Sequence, residues 1–116
     1  MRIVILVLFA AVAVYGQVHA CNTQAVQEAQ SILDEVTGDV QRGTASPMDQ
    51  TAAKTHLLEM KLCKTPDDKQ ICKDLIDSLN KEFSEAKQKK AMGIADIFEV
   101  IAVHEKLVKA KINCGY

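Results

Sequence analysis

Four cysteines, Cys21, Cys63, Cys72 and Cys114, are the residues of this chain with the most definite chemistry. Thiols can bind a metal, attack a substrate or join in pairs. Structural zinc sites use closely spaced cysteine pairs with two to four residues between them. Here the successive intervals are 42, 9 and 42 residues, which leaves zinc without a suitable ligand set. Four cysteines in a short exported chain read as two disulfides. The intervals mirror each other about the loop from Cys63 to Cys72, and Gly43 and Gly93 fall near the middle of the two long arms. The expected pairing is Cys63–Cys72, closing a helix-turn-helix, with Cys21–Cys114 tying the ends. In the chain-entropy model a loop of the second size stabilises by ~4–5 kcal/mol. The symmetric alternative is Cys21–Cys63 with Cys72–Cys114.

Other reactive residue types form weaker patterns. His104-Glu105 begins like the His-Glu-x-x-His helix of zinc proteases, but Val108 stands where the second histidine is needed. One His and one Glu cannot supply three protein ligands to a catalytic zinc. His104 falls on an apolar stripe and reads as a core or boundary residue, and His56 reads the same way. The carboxylate pairs Asp34/Glu35 and Asp67/Asp68 are adjacent in sequence, so neither pair converges on one helical face. Lys87, Lys89 and Lys90 form the densest positive spot and read as a solvated helix end. There is no glycine-rich phosphate loop, nucleophile elbow or calcium loop. The expectation is a protein that is not an enzyme and needs no cofactor or metal.

Residues 1–20 fit a secretory signal peptide. Arg2 supplies a short positive start. An apolar run from Ile3 to Val14 follows, shorter than the ~18–20 residues a spanning helix needs. Small residues precede Cys21. Taking this leader away removes one positive charge, moving the net charge from −1 to −2, and leaves residues 21–116 as one small domain. The near-balance of charge gives no electrostatic footprint for nucleic acid. No later stretch is apolar enough to span a membrane, so the expected location is extracellular.

These residues must be positioned by helices. Val26, Ala29, Leu33, Val36 and Val40 recur at spacings of three and four, the helical period. The first helix is expected over about 24–37, extending at most to 41. A second, about 47–63, opens with Ser46-Pro47-Met48-Asp49: an N-cap, a proline tolerated at the first position, and an acid suited to the helix dipole. A third opens similarly with Thr65-Pro66-Asp67-Asp68 and runs to about Ala91, with Ile71, Cys72, Leu75, Ile76, Leu79, Phe83 and Ala86 in its stripe. The fourth, about 94–112, is the most apolar. Ile94, Ile97, Ile101, Val108 and Ile112 make one stripe, and Val100, Val103, Leu107 and Ala110 a second beside it. A strand over Ile97 to Val103 is the less favoured reading of its β-branched content. No internal repeat stands out. Short connections favour an all-α, disulfide-stapled four-helix bundle running up-down-up-down. The alternative is a long bent antiparallel helical hairpin with the last two helices continuous through Gly93.

Two functions fit these elements. One is an exported carrier that holds a small hydrophobic ligand within the bundle. The other is an exported interaction protein, of salivary, venom, seminal or signalling type, that binds an extracellular protein. In either case the candidate face comprises Ile97, Val100, Ile101, Val103, Leu107 and Val108, because the apolar arc of the fourth helix is wider than a single packing seam requires. The same arc could serve a homodimer. Residues 21–60 carry net charge −4 and residues 61–116 net charge +2, an asymmetry that could orient a partner.

Overall fold

The computed structural model describes residues 21–116, so the expected leader lies outside the described residues. Four helices fill this stretch: α1 Thr23–Gln41, α2 Pro47–Lys64, α3 Lys69–Ala91 and α4 Ile97–Asn113. No strand occurs among the described residues, and Ile97 to Val103 is helical. The chain forms a small four-helix bundle stapled by disulfides.

Each helix starts at a side chain that accepts hydrogen bonds from otherwise unpaired amides. Asn22 accepts from Ala25 N at 2.9 Å. Ser46 and Asp49 form a reciprocal capping box at the start of α2, with Pro47 just inside. Asp96 accepts from Glu99 N at 3.1 Å. The start of α3 differs from expectation. Its N-cap is Asp68, which accepts from both Gln70 N and Ile71 N at 3.0 Å. Thr65 instead closes α2, donating its hydroxyl to Lys61 O at 2.9 Å. A carboxylate three residues nearer the helix is the better acceptor, which leaves Thr65-Pro66-Asp67 as the connection. Helix α4 also starts later than expected, because Ile94 and Ala95 are held in the preceding turn.

That turn reveals a repeat not apparent in the sequence. Gly43 and Gly93 both end a helix with positive φ, at 78° and 75°. Around Gly43, the amides of Thr44 and Ala45 both donate to Asp39 O; around Gly93, those of Ile94 and Ala95 both donate to Lys89 O. The two turns are equivalent at an offset of 50 residues. Without gaps, the same offset matches the buried pairs Ala29 with Leu79, Ala53 with the half-buried Val103, and Leu57 with Leu107. Hairpins α1/α2 and α3/α4 are therefore alike in their turns and in these core positions, while their cysteines correspond at an offset of 51, Cys21 with Cys72 and Cys63 with Cys114. Sequence identity is too low for eye or pattern to register this.

Packing follows chain order. Contacts join α1 to α2, α2 to α3 and α3 to α4, and α4 does not return to α1. The bundle is open along that side. Its main core joins Leu58 of α2, Leu75, Ile76 and Leu79 of α3, and Leu107 and Ala110 of α4, with Leu62, Ile71, Phe83 and Cys114 packed around them. Further along the α2/α3 seam the packing becomes polar. Thr55 and Ser78 are buried with their hydroxyls 2.7 Å apart, and Thr55 also donates to Thr51 O. Burial of these hydroxyls is tolerable because each has a partner.

The disulfides are Cys21–Cys63 and Cys72–Cys114, with Cα atoms 5.3 and 5.9 Å apart. The preferred nested pairing is thus overturned in favour of the symmetric one. The reason is the direction in which each cysteine points. Cys63, in the last turn of α2, turns towards the start of α1. Cys72, in the first turn of α3, turns towards the end of α4. Each bridge closes one hairpin, and all four cysteines lie at one end of the bundle.

Candidate functional site

Helices α2 and α4 both pack on α3 with their backbones held apart, and a cleft opens between them. It is open to solvent, has a volume of about 630 Å³ and is lined by Glu59, Leu62 and Cys63 of α2, Pro66 of the connection, Leu75 and Leu79 of α3, and Lys106, Lys109, Ala110 and Asn113 of α4. The leucines and Ala110 belong to the core or pack against it and form an apolar floor. Lys106 and Lys109 are exposed and stand at the rim. Burial raises the Glu59 carboxyl above its ordinary pKa, Lys106 lowers it, Glu82 raises it further and His56 lowers it. Glu82 lines the smaller cleft described next and has one buried carboxylate oxygen without a hydrogen-bond partner among the described residues. The site combines an apolar floor, two cations and a carboxyl that protonates more readily than usual.

A smaller cleft of about 210 Å³ lies towards the other end, where Met48, Ala52, Ala86 and Val103 mix with Asp49, Glu82, Glu85, Lys89 and Glu99. Its charges are largely engaged. Lys89 Nζ lies 2.8 Å from Glu99 Oε1, and that hydrogen bond raises the lysine pKa. Asp49 is held below its ordinary value by the Ser46 backbone and side-chain hydrogen bonds of the capping box.

The six residues expected to form one face are divided by the structure. Val100 and Leu107 are buried, and Val103 is half-buried at the smaller cleft. Ile97, Ile101 and Val108 lie on the outer side of α4, exposed. The two stripes were legible, but their destinations were not: hydrophobicity alone does not say which stripe meets α3. The larger cleft's Glu59, Lys106 and Lys109 were not singled out in the sequence. Charged residues on helices ordinarily read as solvated faces, and only the gap between α2 and α4 gives them a common target.

His104 is a boundary residue: it is exposed, with its ring 5.4 Å from that of Phe83. Lys87 covers the same phenyl ring, its Nζ 4.5 Å from the centroid. The lysine-rich end of α3 therefore devotes Lys87 and Lys89 to contacts within the chain. Among the described residues no group of three or more His, Cys, Asp or Glu converges as a metal site. No helix among them is long and apolar enough to cross a membrane. No known protein family, curated protein or solved structure matches the chain.

Proposed function

We propose that the protein is an exported, non-enzymatic carrier that binds a small amphipathic molecule in the cleft between α2 and α4. The observation that supports this is the cleft's chemistry. Its volume is in the roughly 300–1,000 Å³ range of small-molecule sites. An apolar floor of Leu62, Leu75, Leu79 and Ala110 suits an aliphatic or aromatic body, and Lys106 with Lys109 suits an anionic end. Two disulfides among the described residues accord with export. The alternative, an exported interaction protein, draws on the exposed apolar side chains of α4.

The test is titration with a fluorescent fatty-acid analogue. The wild-type protein should bind it, and the double variant Lys106→Ala/Lys109→Ala should bind about tenfold more weakly, the scale of a lost charge-assisted contact near 1.4 kcal/mol. The sign of the pH effect follows from Glu59. With its pKa raised, it becomes neutral at a higher pH than an ordinary glutamate. Lowering the pH through that range removes a negative charge beside the ligand's anionic end, so affinity should rise while the ligand remains ionised. Glu59→Gln should bind at neutral pH as the wild type does at lower pH. Absence of probe binding by the wild-type protein would reject the carrier reading.

A further inference from the structure

The described chain exposes nine large apolar side chains, and eight of them lie within residues 92–116; Ile32 is the other. On α4, Ile97, Ile101, Val108 and Ile112 share one side of the helix at 100° per residue. Ile101 is 45% exposed and Ile112 68%. The repeat shows what the equivalent side of α2 does. At the 50-residue offset, Ile101, Glu105, Val108 and Ile112 correspond to Thr51, Thr55, Leu58 and Leu62 of α2. Those α2 residues face α3: Thr51 bonds Glu85, Thr55 bonds Ser78, and Leu58 and Leu62 join the core. The side of the second helix that receives another helix in the first hairpin is thus uncovered in the second, and apolar apart from Glu105, which an antiparallel copy would set opposite His104.

We infer that this outer face of α4 is a homodimer interface, in which two copies pack their α4 helices antiparallel about a twofold axis. The intervals Ile97–Ile101, Ile101–Val108 and Val108–Ile112 are four, seven and four residues, the same in both directions. An antiparallel partner therefore sets Ile97 against Ile112 and Ile101 against Val108, each pair occurring twice, with the axis passing between positions 104 and 105. This is an isologous, closed contact. It also opposes the two helix dipoles, whereas a parallel arrangement aligns them.

Continuing the repeat head-to-tail is the competing arrangement, and the chemistry of α1 disfavours it. The α1 residues equivalent to the α2-facing side of α3 are Ala25, Glu28, Ile32 and Glu35. Glu28 would then meet Glu105, as Ser78 meets Thr55, and Ile32 alone would offer a large exposed apolar side chain. Helix α1 carries four acids and no base. An apolar stripe is better matched by its own copy. A seam of two helices is smaller than the roughly 800 Å² per partner of a standard interface, so a reversible monomer–dimer equilibrium is expected.

Sedimentation equilibrium of the oxidised protein tests this, with circular dichroism as the check on folding. Wild type should be a monomer–dimer system. Ile101→Glu and Val108→Glu should each be monomeric over the same concentrations with unchanged helicity, since both positions are exposed in the single chain. Ile32→Glu should dimerise as the wild type does. A wild type that stays monomeric at several hundred micromolar would overturn the inference and leave this face to a different protein. Dimerisation abolished by Ile32→Glu, or surviving both α4 variants, would overturn it as well. The cleft lies on another side of α4, between it and α2, so probe binding and dimerisation are read separately.

Discussion

At the scale of single residues, the helix starts show how local chemistry fixes boundaries. Ser46 and Asp49 satisfy each other's amides, so Ser46→Ala should cost about 0.5–2 kcal/mol in chemical denaturation. The start of α3 offers a sharper comparison. Asp68 accepts from two amides, while the Thr65 hydroxyl donates to a carbonyl within α2. Asp68→Ala should therefore destabilise by about 1 kcal/mol, and Thr65→Ala by less. Equal losses in the two variants would show that Thr65, too, supports the start of α3. Ser46 was legible because cap, proline and acid occur in one order and leave one frame. The segment Thr65-Pro66-Asp67-Asp68 offers two frames, and sequence does not rank a threonine before proline against an aspartate closer to the helix. The buried hydroxyls of Thr51, Thr55 and Ser78 were illegible for a related reason. Threonine and serine on a helix usually read as surface, and burial is tolerated only where a partner on the facing helix meets the hydroxyl, Ser78 for Thr55 and the Glu85 carboxylate for Thr51.

At the scale of elements, the two hairpin turns carry the same backbone solution with different sequences. Gly43 and Gly93 both lie in the left-handed region, and a Cβ at either would meet no atom within 4 Å. Substitution is therefore penalised by backbone conformation and not by crowding. Gly43→Ala and Gly93→Ala should each lower stability by roughly 1–2 kcal/mol, and by similar amounts. Thermal or chemical denaturation of the pair checks this; a neutral effect at one position would mean that its turn relaxes to another geometry. Four helices, their periods and the breaking glycines could be read from the sequence. What could not be read was the partner of each face. In α4 two adjacent stripes compete for α3, and the winner comprises Val100, Leu107 and Ala110, with Ile97, Ile101, Val108 and Ile112 left outside. Periodicity gives the angle between stripes but not the rotation of the helix about its own axis.

At the scale of the whole molecule, the disulfides close two separate loops of the same length, one per hairpin. In the chain-entropy model each stabilises by about 4 kcal/mol. Their surroundings differ, however. Cys72 is 5% exposed and Cys114 packs against the main core, whereas Cys63 is exposed at the bundle end. Helix α1 packs against α2 alone and contributes nothing to the main core cluster. A mild thiol reductant should consequently open Cys21–Cys63 before Cys72–Cys114, because the attacking thiolate must reach a sulfur. The structural consequence should be local. With Cys21–Cys63 open, α1 retains only its packing on α2, while α2, α3 and α4 keep their shared leucines and the second bridge. Hydrogen exchange after partial reduction and alkylation should then show amides of 23–41 losing protection first and those of α3 and α4 remaining protected. Such staged opening is expected where a segment has few partners. Simultaneous loss of protection in all four helices would show instead that the two hairpins unfold as one cooperative unit, with α1 coupled to the core through α2 more strongly than its position at the open edge implies.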